Sequence, residues 1–290
     1  MTPNKLTRRD FLKLIGIGLL DIILLAIGGA SYGMFVEPNW LQVERIKLKL
    51  PRLPRVFSGL RLAQISDIHM GGWMNRDRFQ HVADVVLAQK PDVLLITGDF
   101  LTGHQSTDVS RLAVEDLMAV LSPLAKSMPT FAILGNHDYW TDPQVVREIL
   151  SSCGITDLTN SVFRLTREDQ HMYLCGVDDV WEGDVRLDDV LSQLTDSNAA
   201  ILLAHEPDFA DISAATGKFD LQISGHSHGG QVVIPFLGPP ILPHLGRKYP
   251  SGLYKVQGMF QYTNRGVGMI TPPIRFNCLP EITIFTLESE

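Results

Sequence analysis

Cysteine is scarce in this 290-residue chain. Cys153, Cys175 and Cys278 are too few and too scattered for a disulfide framework or a thiolate zinc site, and one disulfide is the most they allow. Basic charge is in short supply as well. With 25 Lys and Arg against 32 Asp and Glu the formal charge is −7, so the cationic excess that a phosphate backbone demands is missing, and nucleic acid is not the expected partner. No repeat at fixed period and no low-complexity tract occurs, and 24 Gly and 17 Pro are near average usage, which removes the support for solenoids, propellers and collagen. There is no His-Glu-x-x-His helix, no Gly-x-Ser-x-Gly elbow and no P-loop; Gly16-Ile17-Gly18 falls in an apolar leader where a nucleotide cannot sit. What is present, at 45% hydrophobic and 20% charged residues, suffices to bury a full core as one large domain or two small ones.

Lys5, Arg8, Arg9 and Lys13 against Asp10 give the first thirteen residues a net charge of +3, leaving −10 for the remainder. Twenty residues follow, 14–33, interrupted only by Asp21, about the length that crosses a hydrocarbon core of roughly 30 Å. A central Asp costs about 2.5–3.5 kcal/mol on insertion, which the Leu and Ile around it offset, and the positive-inside rule keeps the Arg-rich end cytoplasmic. Thr7-Arg8-Arg9-Asp10-Phe11-Leu12-Lys13 resembles the twin-arginine export signal, whose machinery carries folded proteins. Residues 1–36 are therefore expected to be a signal or transmembrane anchor that places the rest on the extracytoplasmic face. Gly28 and Ala30 offer a small-x-small cleavage site without an Ala-x-Ala, so both a cleaved leader and a retained anchor stay open.

Residues 37–59 are read as a connector and first strand, and 60–290 as the main domain. Short apolar runs at 61–66, 92–97 and 130–134 predict strands. Amphipathic spacing at 75–90, 109–121 and 143–150 predicts the helices between them. Further strands are expected at 172–177, 199–204, 221–224, 232–235, 260–263 and 282–287. The β-α-β alternation followed by a strand-rich half predicts an α/β fold of two packed sheets with helices outside, its chemistry on loops at the carboxyl ends of strands.

Five segments put His, Asp and Asn directly after predicted strands: Asp67-Ile68-His69, Gly98-Asp99, Gly135-Asn136-His137-Asp138, Ala204-His205 and Gly225-His226-Ser227-His228, which take five of the nine histidines. Residues two apart at an extended strand end project to one side, so Asp67 with His69, and His226 with His228, can each grip a cation. Imidazole and carboxylate donors without cysteine suit a divalent transition metal outside a closed structural zinc site. Seven candidate ligands exceed one tetrahedral site, which points to two metals sharing a carboxylate. Two divalent ions, Asp67, Asp99 and a hydroxide leave a surplus near +1 for an anionic phosphate, a surplus that neutral Asn136 preserves.

This ordered set resembles the calcineurin-like metallophosphoesterases over about residues 60–287. The resemblance implies a four-layer α/β/β/α sandwich with two central mixed sheets and two divalent ions, for which Mn, Fe and Zn all fit. It implies Asp67, His69, Asp99 and His228 at one ion and Asp99, Asn136, His205 and His226 at the other. It also implies in-line attack of hydroxide on phosphorus, His137 as the residue that stabilises the transition state or protonates the leaving oxygen, and Asp138 as the residue that orients His137. The Gly225–Gln231 form, the stretch 264–268 and the leader are similar to bacterial membrane-associated phosphodiesterases, which are related to the hydrolases of UDP-2,3-diacylglucosamine in lipid A synthesis. The implied activity is hydrolysis of a phosphodiester or pyrophosphate, of a lipid- or glycolipid-linked substrate. The alternatives are a cytoplasm-facing UDP-2,3-diacylglucosamine-type hydrolase and a non-catalytic phosphate-binding module, against which His137 argues. Thr102 stands where many relatives have an acid.

Several features have two readings each. His205 is a ligand or a turn residue before Glu206-Pro207. Gly229-Gly230 cradles phosphate or makes a turn. Arg265 contacts substrate phosphate or lies idle at the surface, and 236–254 is a lip toward acyl chains and membrane or a loop packed on the core. His81, His104, His171 and His244 are read as surface or loop histidines.

Overall fold

Near-continuous apolar runs become strands covered on both faces, and the computed structural model, which describes residues 7–103 and 110–290, arranges them as two six-stranded sheets. In the first, β1 (Gln42–Leu50), β12 (Glu281–Ser289), β2 (Arg61–Ile65), β3 (Val93–Thr97), β4 (Thr130–Ile133) and β5 (Thr156–Asp157) lie side by side in that order. The second runs β10 (Gly252–Val256), β11 (Met259–Thr263), β9 (Leu221–Ser224), β8 (Ala200–Leu203), β7 (Gln170–Gly176) and β6 (Ser161–Arg167). Both are mixed. β2 to β5 are parallel with β12 antiparallel to β2, and β7, β8, β9 and β11 are parallel with β6 and β10 antiparallel at the edges.

Leu62, Leu95, Phe131 and Phe285 of the first sheet meet Leu174, Ile201, Ile223 and Tyr262 of the second in the layer between them. On the outer face of the first sheet pack α2 (Arg76–Ala88), α3 (Arg111–Ser127) and α5 (Pro143–Cys153). The helix α2 follows from its sequence: Phe79, Val82, Ala83 and Val86 make one buried stripe, and Asn75 caps the first turn by accepting from the Arg78 N–H at 3.0 Å. The short helices α6 (Leu187–Ser192) and α7 (Ala210–Ala215) cover the second sheet, completing four layers. Before the sandwich lies α1 (Arg8–Phe35), long and apolar enough to cross a membrane, its Leu and Ile side chains largely exposed. Lys5 of the basic amino-terminal segment, His104 and the start of the helix expected at 109 lie outside the described residues.

The predicted strand at 232–235 does not form. Pro235 removes a ladder donor and the chain turns at once, leaving only single bridges, Val232 with Phe276 and Ile234 with Gly238. The edge strands β6 and β10 escaped prediction because their exposed faces carry polar residues among the apolar ones.

Candidate metal centre

All five predicted segments leave the carboxyl ends of strands and converge: Ser66–His69 after β2, Gly98–Asp99 after β3, Gly135–Asp138 after β4, His205 after β8 and Gly225–His228 after β9. Pairing continues past the strand ends, with Asp67 N–H donating to Gly98 O and His69 N–H to Asp99 O, both at 3.0 Å. The route to a common side differs from the expected pleat. Asp67, His69, Asp99, His226 and His228 all have φ between 50° and 69°, so left-handed backbone, not an extended strand, turns these side chains inward. Such a conformation costs an L-residue about 1–2 kcal/mol and persists where surrounding structure enforces it. Gly98 (φ 94°) and Gly135 meet that crowding; a Cβ on Gly98 would stand 2.7 Å from both Gly135 N and His205 Nδ1.

All seven candidate ligands and His137 are buried. His69 Nε2 and His228 Nε2 are 3.0 Å apart, and Asp67 Oδ1 is 3.3 Å from His228 Nε2. Asp99 Oδ2 lies between two histidines, 3.6 Å from His69 Nε2 and 3.2 Å from His205 Nε2. His226 Nδ1 faces Asn136 Oδ1 at 2.9 Å. Bonds of about 2.1 Å to one ion put neighbouring donors about 3.0–3.4 Å apart, close to the 2.9–3.6 Å found here. The chemistry of the donors agrees. His226 Nε2 donates to His244 O at 2.6 Å, which leaves the Nδ1 lone pair against the amide oxygen of Asn136, two acceptors that a cation between them reconciles. His205 Nδ1 likewise donates to Thr97 O at 2.6 Å, which turns its buried Nε2 toward Asp99 Oδ2 at 3.2 Å. These residues fit divalent ions.

Electrostatics prepare two of the histidine donors and act oppositely on His205, where burial opposes charge but Asp99 outweighs it and holds the imidazole well above the ordinary histidine range. Burial, and then His137 beside it, takes His69 down to about 3, and burial with His69 takes His228 well below the ordinary histidine range, so both imidazoles keep lone pairs. Burial pushes Asp67 up to about 6. Burial opposes charge at Asp99 too, but His205 and His137 outweigh it and hold that carboxyl well below its usual range.

The loops are fastened by carboxylates acting on backbone. Asp67 accepts from His226 N–H at 3.0 Å, and Asp99 Oδ1 from His137 N–H at 2.9 Å. Asp138 was expected to orient His137. Its oxygens are instead taken up by the N–H groups of Asp99, Phe100, Leu101 and Gly135, while the His137 ring is held through Nδ1 by the carbonyls of Thr102 (2.7 Å) and Gly103 (3.2 Å). Thr102 also ties His69, its hydroxyl donating to His69 O at 2.7 Å. Arg265 is no idle surface residue and lines no wall of this site: it binds Glu281 at 2.5 Å and Glu44 at 3.1 Å. The N–H groups of Gly229 and Gly230 are spent on Ser227, which makes the glycine pair a turn. His171 is buried on β7 with Asp196 at 2.8 Å, whereas His81 and His244 are exposed.

Above the ligands opens a pocket of about 220 Å³, walled by Trp140, Trp181, Pro243, Ile270 and Thr271. Of these walls only Pro243 fell in a segment singled out from the sequence, the 236–254 lip. Trp140, three residues after His137 on α4 (Asn136–Thr141), carried a signal in that spacing; its ring meets His137 at 4.7 Å. Trp181 carried none. It is placed by the loop 178–184, where Asp179 accepts from Trp181 and Glu182 N–H, and Glu206 from Val180 N–H. Arg275 was missed as well; fully buried, it donates to the carbonyls of Arg265, Gly266, Gly268 and Cys278, fixing the loop that abuts Asp67.

Two mixed sheets with a His-, Asp- and Asn-lined centre at their strand ends define a metal-dependent phosphoesterase. The chain belongs to the calcineurin-like phosphoesterase family, whose pattern matches residues 60–230. It is 33% identical to the uncharacterized metallophosphoesterase YkuE of Bacillus subtilis over 99% of both chains. It is 30% identical to the phosphodiesterase YaeI of Escherichia coli over 89% of this chain and 93% of that one. A zebrafish (Danio rerio) transmembrane protein with metallophosphoesterase domain is 33% identical over 93% of this chain and 62% of its own length.

Proposed function

We propose that this protein is a membrane-tethered phosphodiesterase working with two divalent ions on a lipid- or glycolipid-linked phosphodiester or pyrophosphate. Asp67, His69 and His228 would hold one ion, Asn136, His205 and His226 the other, and Asp99 would contact both. The observation that carries this reading is the place of Asp99 Oδ2, between His69 and His205. Bound ions supply Lewis acidity at phosphorus and acidify the attacking water. The chain supplies the rest. His137, with one nitrogen tied to the Thr102 carbonyl, works at the pocket wall through the other and gives a proton to the leaving oxygen. Trp140 and Trp181 shield the reaction from water and take the organic part of the ester.

Residues 1–36 act as anchor or export leader, 37–59 as connector and first strand, and 60–290 as the catalytic domain. The length and apolar surface of α1 support the anchor, as does the transmembrane relative. The export-like motif favours an extracytoplasmic domain and an envelope substrate.

The test uses the full chain in detergent, loaded with Mn²⁺, on a chromogenic phosphodiester and monoester. Diester turnover with two ions per chain, lost in a folded Asp99→Ala variant, is the expected result. A folded, loaded chain that turns over neither ester overturns the enzymatic reading, and a single ion per chain overturns the shared carboxylate. A periplasmic reporter fused to the carboxyl terminus settles sidedness, and silence of that reporter in producing cells removes the export reading.

A further inference from the structure

The sixteen residues from Gln231 to Gly246 contain no Asp, Glu, Lys or Arg. At the apex, Ile234 N–H donates to Gly238 O at 3.0 Å and Gly238 N–H to Ile234 O at 2.8 Å, closing a turn around Pro235, Phe236 and Leu237. Phe236 is fully exposed, and Leu237 and Ile241 are 82% and 79% exposed. Phe236 also holds φ 68°, a left-handed position that Gly or Asn occupies at lower cost and a bulky side chain seldom takes. Strained backbone at a turn apex that displays a phenylalanine, a leucine and a nearby isoleucine to solvent has no account in the packing of the domain.

Its position gives one. The segment before the apex is paired to chain that is itself paired to α1: Val233 N–H donates to Phe276 O (2.8 Å), and Arg275 N–H to Gly33 O (2.9 Å). The Tyr32 and Phe276 rings meet edge to face, and Glu37, just past the helix, accepts from the N–H groups of Asn277 and Cys278. Pro235 shares a cleft of about 470 Å³ with Tyr32 and Trp40, the aromatic pair flanking the carboxyl end of α1. Aromatic residues at the end of an apolar helix mark the headgroup layer of a bilayer. The other end of the loop reaches the catalytic pocket, where Pro243 forms wall and His244 O accepts from His226.

We propose that the turn Ile234–Gly238, with Ile241, inserts into the bilayer interface beside the carboxyl end of α1 as a second, shallow membrane contact. It thereby sets the mouth of the catalytic pocket at the lipid surface. The occupant of this apolar patch is lipid, because the patch is continuous with the helix end and carries no charge to pair with a protein partner. The inference rests on the reading of α1 as an anchor, and its test separates the two.

Single cysteines are placed in the full chain, whose own three are buried, at Leu25→Cys in α1, at Phe236→Cys at the apex and at Asp169→Cys. Asp169 is exposed and shares a cleft with Pro51–Pro54 at the far end of β1, about 26 Å from the residues that follow the helix. Each is labelled with an environment-sensitive fluorophore and reconstituted in phosphatidylcholine–phosphatidylglycerol vesicles with and without doxyl lipid. Blue-shifted, doxyl-quenched emission is expected at 25 and 236 and neither at 169. Quenching at 25 without quenching at 236 overturns this proposal and leaves the anchor standing. An unquenched label at 25 overturns the anchor and the proposal with it.

Discussion

His137 shows how a single side chain in this protein divides its atoms between position and chemistry. Its N–H fixes Asp99, its Nδ1 is held by the Thr102 carbonyl, and its ring stands between His69 and Trp140. His137→Gln keeps the backbone contact and removes the proposed proton donor, so kcat is expected to fall by about 10²–10⁴-fold with KM and bound metal little changed. Steady-state kinetics and metal analysis on the same preparation check this, and a matching loss of metal would place His137 among the ligands instead. Arg265 is the opposite case. Bound to Glu281 and Glu44, it acts on stability, and Arg265→Met leaves Glu281 with less of its hydrogen bonding in a buried setting. A loss of about 2–4 kcal/mol in denaturant unfolding with KM unchanged is expected. A raised KM at unchanged stability would restore the phosphate-contact reading. Nothing in the run Asn264-Arg265-Gly266 announces which of these an arginine will do, because its partner Glu281 is sixteen residues away in sequence.

At the scale of elements, the loop 178–184 that carries Trp181 depends on a pair of buried acids. Burial first, and the neighbouring Glu206 second, push Asp179 up to about 10, so the folded pair keeps a proton that the unfolded chain gives up above pH 4. Folding therefore takes up a proton between about pH 4 and 10, and this group costs stability progressively as pH rises through that window. Asp179→Asn keeps a donor toward Glu206 without the titration, so its melting temperature relative to wild type is expected to climb from pH 5.5 to pH 8.5. Parallel melting curves at every pH would refute the shared proton. The regular elements were more legible than these loops. The helix α2 and strands β2, β3, β4 and β9 follow from periodicity and capping to within a residue or two, since burial on fixed faces writes itself into sequence spacing. The strand expected at 232–235 failed for a local reason that was also present in the sequence, Pro235.

For the molecule as a whole, the site joins the two sheets: Asp67, His69, Asp99, Asn136 and His137 come from the first, His205, His226 and His228 from the second. Ions held there would clamp the sandwich at its strand ends. Chelation of the full chain is expected to lower its melting temperature by about 5 °C or more and to abolish turnover, and Mn²⁺ to restore both. A melting temperature indifferent to chelator would mean that the ions contribute nothing to holding the sheets together. The α/β class, the apolar amino-terminal run and the donor inventory were legible in the amino-acid sequence, because short motifs after strands fix which residue types stand at strand ends. The sequence could not say how Asp67 and His69 turn inward, that Asp138 clamps the backbone of Asp99–Leu101 while Thr102 holds His137, or that Arg265 pairs with Glu281. Those outcomes depend on left-handed backbone and on contacts between residues far apart in the chain, which only the packing of both sheets decides.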